Sequence, residues 1–578
     1  MPTSQNPHFA GPLPRRTVLR AAAVSGLAAL GWQTAFRIPA AADADVPPNV
    51  DCYTQAYRNW SEEIRADDVL TCSPRTVEQV VSVVNWAHAR GIRVRPTGMR
   101  HGWSPLTITN GGTRDSILID LTEHMASVEV SADAHGPTTV TARTGVTMTA
   151  LLTELERHGY GVASCPAPGD LSLGGVLAID GHGTAIRVNG EPNVPGQTFG
   201  TISNLITSVT AIVWDESQGA YVARDFDRSD SEMRALLVHL GRALIVQATL
   251  RVAPNRRLRC VSRTDVTADT LFAPPEHAGE HSFAALVEGC GRIETIWFPY
   301  TQSPWLKLWS VAPERPAASR ETTVPFNYPF SDEIPEVASE LLKLIVAGDT
   351  WVTPLFAQVI SATVPTGLLV TDSADLWGWA KNTQLYVRPT TLRVTANGYA
   401  VLTRRADIQE VVSKTYAYLK RTLAEYQAEG DFPINGPWEV RVTGLDDASD
   451  CEVPGAREAI LSAVRPRPDR DYDVAVWLDL LTLPGTPSST RFYEAFEQFL
   501  LQEFNDATAT LHPEWSKGWA YGPDGAWTST TFLHDVIPAA VQGGHALNDG
   551  WQAALTAYES LDPHGVYGNA FLDALMTG

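Results

Sequence analysis

Between residues 76 and 103 the chain changes period twice. In TVEQVVSVVNWAHARG the apolar positions Val77, Val80, Val81, Val84 and Ala87 recur every three or four residues, the spacing of one helix face. Thr76 and Gln79 stand at capping-box spacing before that run, and Gly91 offers a stop after it. The β-branched run Ile92-Arg93-Val94 predicts a short strand, and RPTGMRHGW, Arg95 to Trp103, predicts a loop. A loop with two glycines and few bulky side chains can turn successive backbone N–H groups toward one anion such as a pyrophosphate, with His101 standing beside it. A second helical period, TALLTELERHGYG, leads into PAPGDLSLGGVLAIDGHGT, where Gly169, Gly174, Gly175, Gly181 and Gly183 crowd fifteen positions. Glycines this dense press backbone against a ligand or against itself. Far downstream, WEVRVTG alternates like a strand and puts Glu439 and Arg441 on one face.

Length and charge narrow the class. The 578 residues exceed a single core, and the composition, 44% hydrophobic and 19% charged, is that of a globular enzyme. A net charge of -21 with no basic cluster beyond the N-terminus excludes a nucleic-acid binder. Arg15 and Arg16 precede TVLRAAAVSGLAALGWQTAF, too short and weakly apolar for a good span, and small residues follow. The stretch 1–44 reads as a twin-arginine signal cleaved near Ala42 or Ala44, so the protein is expected to be secreted, exported already folded. No later segment reads as a bilayer span. Six cysteines show no metal-like spacing, Cys52 with Cys72 being the one short loop to suspect of a bridge, and the histidines lack HxxxH or HExxH. No metal is therefore expected. Neither GxGxxG after the first strand nor a P-loop is present.

The ordered series PRTVEQVVSVVNWAHARGIRVRPTGMRHGWSPL, ILIDLT, TARTGVTMTALLTELERHGYGV, GDLSLGGVLAIDGHGT, FGTISNLITSVTAIV and GRALIVQATLRVAP resembles the FAD-binding domain of the vanillyl-alcohol oxidase family across roughly residues 68 to 254. The resemblance implies an α+β fold of two units. The FAD-binding domain would span 45–255. A substrate domain with an antiparallel sheet would span 256–545, and a C-terminal segment, 546–578, would return to the first unit. It also implies FAD held by Pro96, Thr97, Gly98, Met99, Arg100, His101, Gly102 and Ser104, by Gly169, Asp170, Leu173, Gly174, Gly175, Gly181 and Gly183, and by Ile245 and Asn569, with His101 joined covalently to the flavin.

RIETIWFPYT, WEVRVTG, HPEWSKGWAY and DPHGVYGNAF are similar to segments of the branch that holds aldonolactone, alditol and class II cholesterol oxidases, and most resemble the last of these. That resemblance implies oxidation of a 3β-hydroxysterol by O2, with H2O2 released and Δ5 to Δ4 isomerisation, and transient contact with sterol-bearing membranes. An aldonolactone or alditol type of oxidase is the alternative. Flavin-linked alcohol oxidation needs a group for the hydroxyl proton and positive charge near the reduced flavin. Glu439 and Arg441 can supply these, although the same spacing would serve a surface ion pair; Lys517 and Glu294 join them by resemblance. The apolar stretch 341–389 suits the wall of a sterol cavity, or equally the core of the second domain.

Overall fold

Three large sheets, beside the two-stranded pair of Tyr160–Gly161 with Ala253–Pro254, organise the described residues. In this computed structural model, residues 38–39 and 45–577 are described, apart from 112–115, 133–136, 193, 333–334 and 506–507. Arg15, Arg16, Ala42 and Ala44 lie outside the described residues.

The first sheet runs in the order Ile38–Pro39, Asp51–Arg58, Arg65–Ser73, Ser116–Asp120, Arg93–Thr97, antiparallel at its first two pairings and parallel at the last two. Cys52 and Cys72 face each other across it and form a disulfide. The second, antiparallel throughout, runs Ala220–Asp227, Ile206–Asp215, Leu244–Arg251, Thr139–Arg143, Val128–Ser131. Between them packs the helix Val77–His88. Thr76 caps it by accepting from the Gln79 amide at 3.3 Å, while the Gln79 side chain accepts in return from the amide of Arg75 rather than from that of Thr76. Its residues Val80, Val83 and Val84 are wholly buried against Ile117 and Ile119 of one sheet and Ile212 and Val246 of the other, each contributing about 1.5–3 kcal/mol by removal from water.

The third sheet has nine strands, in the order Arg320–Thr322, Asp375–Trp379, Arg257–Arg263, Trp305–Val311, Arg292–Trp297, Trp438–Gly444, Val474–Thr482, Thr395–Thr403, Ala509–Pro513. All pairings are antiparallel except the first. Alternation sorts its two faces. Ile293, Trp297, Trp438, Val440, Leu478 and Tyr399 turn toward the helices Phe283–Cys290, Ile408–Ala428 and Ser489–Glu503, which bury Val287, Leu419 and Phe496 among them. On the opposite face Glu294, Ile296, Trp305, Glu439 and Arg441 look into a cavity, while Ala400, Leu402, Ala475 and Trp477 pack in a separate core.

From Tyr558 onward the chain packs on the first unit. The Val94 amide donates to the Val566 carbonyl at 2.8 Å, and the Tyr567 hydroxyl donates to Ile212. One helical stretch departs from the sequence expectation. Thr350–Val370 is, by length and composition, long and apolar enough to cross a bilayer. Pro, Thr, Ser and Gln punctuate it so that no unbroken apolar run is visible, yet it contains no charged residue.

Candidate functional site

A cavity of about 530 Å³ lies between the nine-stranded sheet and the loops of the first unit. The loop Pro96–Ser104 forms one wall. Where the strand Arg93–Thr97 ends, the chain turns so close to the start of the helix Leu173–Ala178 that a Cβ on Gly98 would stand 2.1 Å from the Ser172 hydroxyl, and Arg100 takes φ 62°. His101 stacks on Trp60 with ring centroids 4.1 Å apart, and its Nε2 lies 3.2 Å from Asp170 Oδ2. The amides of Trp103 and Ser104 both donate to the Ser516 carbonyl, which ties this loop to the turn bearing Lys517. Behind the loop, buried Arg95 donates to the carbonyls of Thr107, Leu106, Gly241 and Tyr567.

The opposite wall is the sheet. Lys307, Glu294, Arg441 and Trp477 are directly paired in register across four strands, with Glu439 and Asp479 paired in the adjoining row. Arg441 gathers three carboxylates. It donates from Nε to Glu294 at 2.7 Å, from Nη1 to Asp479 at 2.6 Å and from Nη2 to Glu439. Tyr386 donates its hydroxyl to the other oxygen of Glu294. Lys517 reaches toward Asp479 at 3.7 Å and Glu514 at 3.8 Å, over the Trp103 ring, through space that a Cβ on Gly398 would fill. His182 stacks on Trp477 at 3.5 Å, with Nε2 3.7 Å from Glu514.

Charge is unevenly held in this cluster. Burial would raise the Glu294 carboxyl, but Arg441, Lys307 and the Tyr386 hydroxyl together hold it below the usual carboxylate range. Burial likewise opposes charge on Arg441, and its three carboxylates overcome it. Asp479 goes the other way: burial and the neighbouring Glu514 push its carboxyl well up, against the pull of Lys517 and Arg441. Glu514 is held down against its own burial by Lys517 and His182. Lys307 has no exposed surface and no hydrogen-bond acceptor among the described residues. Its ammonium sits in a cage of rings, 3.1 Å from the centroid of Tyr386, 4.0 Å from Tyr328, 5.1 Å from Trp305 and 5.3 Å from Trp309, and burial lowers its pKa to about 8.

Glu294, Glu439, Arg441 and Lys517 all line the cavity, as do Pro96, Thr97, Gly98, Met99, Arg100, His101, Gly102, Ser104, Gly174, Gly175, Gly181, Gly183 and Ile245. Four residues of the sequence reading lie behind the wall instead. Leu173 is core. Gly169 packs on Thr149, and Asp170 meets the cavity only through His101. Asn569 donates to the carbonyls of Pro105 and Leu106 and caps the helix Ala570–Met576, so it braces the first loop from outside. Asp479, Glu514, His182, Tyr386 and Lys307 were not anticipated. Glu514 lies three residues before Lys517 in HPEWSKGWAY, and Asp479 is the one charged residue in VAVWLDLLT, local signals that point to both. From the apolar stretch 341–389, Phe356, Ile360, Val364 and Tyr386 do line the cavity, while Leu368, Leu376 and Ala380 belong to the core.

The donors fit FAD. Two glycine-bearing loops wall the cavity and allow close backbone approach, and Asp170, behind the wall, orients the His101 ring through its Oδ2. Comparison with known proteins agrees. A family model described as an FAD binding domain matches residues 70–193, and one described as cholesterol oxidase, substrate-binding, matches 257–577. Among solved structures, a solvent-stable cholesterol oxidase is 47% identical with a TM-score of 0.90, covering 93% of this chain and 99% of that one. The cholesterol oxidase from B. sterolicum is 40% identical with a TM-score of 0.89, covering 93% and 100%. A curated relative, D-arabinono-1,4-lactone oxidase of Eremothecium gossypii, is 24% identical over 44% of this chain, and the match spans only 40% of that protein's length.

Proposed function

The chain belongs to the cholesterol oxidase family of FAD-dependent oxidoreductases, and from that premise we propose that it oxidises the 3β-hydroxyl of a sterol to the ketone while O2 is reduced to H2O2. One observation carries the reading: a single cavity joins the Arg441 cluster to a chamber walled by Trp305, Trp309, Phe330, Phe356, Ile360 and Val364. A rigid apolar ring system is at home there. The many hydroxyls of an alditol or aldonolactone would be stripped of water without partners, which disfavours that alternative.

When bound, FAD supplies the two-electron acceptor for the carbinol hydride. The residues of the chain do the rest. Pro96 to Ser104 and the glycines of 174–183 hold the cofactor. His101 is the residue we assign to the covalent bond; Trp60 and Asp170 fix its ring, which supports that assignment. Glu439 takes the hydroxyl proton, and Arg441, which donates to it, steadies negative charge developing nearby. Glu294, held charged by Arg441 and Lys307, is the poorer base. Glu439 is also our first choice, ahead of Glu294, for carrying the acidic C4 proton of the Δ5-ketone to C6. Sterol is drawn from membranes, and Arg15 with Arg16 directs twin-arginine export.

Peroxide release and enone absorbance, followed together on cholesterol dispersed in detergent, test the reaction. No peroxide from any sterol would sink it. Loss of a folded reporter's export when both arginines become lysine tests the signal.

A further inference from the structure

Of the ten large hydrophobic side chains most exposed on the described surface, seven belong to one helical pair: Val337, Leu344 and Val346 on the helix Glu336–Val346, and Trp351, Leu355, Leu369 and Val370 on or just before the helix Thr353–Val370. Only Val311, Val324 and Leu547 of the ten lie elsewhere, so this concentration marks a place. Along the second helix the outward positions follow helical spacing through Trp351, Leu355, Gln358, Ala362, Thr366 and Leu369, a stripe with no charge in it. At about 1.5 Å per residue the stripe is roughly 27 Å long. The inward side of the same helix, Phe356, Ile360 and Val364, is cavity wall. One helix thus has the apolar chamber behind it and an apolar face in front.

We propose that this face docks flat on the surface of a zwitterionic, sterol-bearing bilayer. The inference rests on the sterol reading above and gives it a place. A sterol is delivered by a membrane, and the helix that walls the chamber is the one that presents uncharged side chains outward. Trp351 suits the headgroup boundary, and Leu355, Leu369 and Val370 suit the acyl region beneath it. Charge selects the surface. Glu336 and Asp349 flank the patch, Asp372 lies just beyond the helix end, the one cation of the first helix, Lys343, is paired with Glu340, and the whole chain carries -21, so anionic headgroups are disfavoured.

The test uses the holoenzyme, the pair Trp351→Asp with Leu355→Asp, and the pair Leu369→Asp with Val370→Asp. All four positions are exposed, and unchanged thermal unfolding verifies that the variants fold. With phosphatidylcholine vesicles containing cholesterol, each pair is expected to weaken co-flotation at least tenfold and to raise KM for vesicle cholesterol at least tenfold. Turnover of detergent-dispersed cholesterol should stay within twofold. Flotation unchanged in both pairs overturns the proposal, as does tighter binding to phosphatidylserine than to phosphatidylcholine. A wild-type dimer in sedimentation that both pairs convert to monomer assigns the face to a second copy of the chain and likewise overturns it. Failure of the sterol reading is separately visible, because the wild type would then be inactive in detergent whatever its vesicle binding.

Discussion

Replacing Lys307 with Met keeps an unbranched side chain in the ring cage while removing its charge. Buried without an acceptor, the wild-type ammonium titrates at about 8 instead of the ordinary 10.5. At about 1.36 kcal/mol per pH unit, that displacement corresponds to roughly 3 kcal/mol of unfavourable charge burial, of which the surrounding rings offset only part. The sign follows from proton linkage. Below pH 8 folded and unfolded chains both hold the proton and the cost is fully present. Between 8 and 10.5 the unfolded chain binds a proton that the folded one has released, so rising pH favours folding. About 1.4 kcal/mol is regained by pH 9. For a chain of this size unfolding entropy near 2 cal/mol/K per residue makes each kcal/mol worth about 1 °C. Calorimetry of both proteins across pH 7 to 10 should therefore show the wild type gaining about 1–3 °C on Lys307→Met between pH 7.5 and 9.5. The comparison is made on the difference, because Lys307→Met also withdraws the support that the wild-type cation gives Glu294 while Lys307 is protonated. Two melting curves that run parallel across the range would refute the argument, since Lys307 would then titrate as an ordinary lysine.

Three further outcomes are expected at the cavity. Arg441→Ala should lower kcat by about 10²–10³ with a smaller effect on KM, as befits a preorganised charge; a loss under tenfold would return the cluster to a structural role. His101→Ala should still bind FAD through the loop amides but release all yellow colour on acid precipitation, whereas wild-type colour should stay with the protein; acid-soluble flavin from the wild type would exclude the covalent bond. Glu439→Gln should lower peroxide and enone together, because Glu439 serves both the hydroxyl proton and the C4 proton; peroxide released at the wild-type rate would remove it from the oxidation, and wild-type enone formation from added Δ5-3-ketone would remove it from the isomerisation.

How much of this was legible depended on whether a residue's partners lie near it in sequence. The loop around His101 could be read because its strand, turn and glycines are contiguous, and Glu439 with Arg441 because period-two alternation places them on one face. Asp479 stood out only as a lone charge in VAVWLDLLT and Lys307 not at all, for their partners come from strand order. Glu294 meets Lys307 and Arg441 only because Arg292–Trp297 lies between Trp305–Val311 and Trp438–Gly444, and nothing local announces that arrangement. Asn569 was found in the right segment with a different task, since a capping asparagine and a ligand-facing one have the same spelling. The helix Thr350–Val370 escaped notice because its small polar residues hid the lack of charge.

Arg95 and Tyr567, in contact behind the His101 loop, are separated by 472 residues. A ribosome adding about 5–20 residues each second reaches Tyr567 roughly half a minute or more after Arg95 has left the peptidyl-transferase centre. During that interval Arg95 lacks one of its four carbonyl acceptors, Val94 lacks the acceptor for its amide and the carbonyls of Pro105 and Leu106 lack the Asn569 amide. The first unit, although encoded first, completes these hydrogen bonds only once the end of the chain has been made.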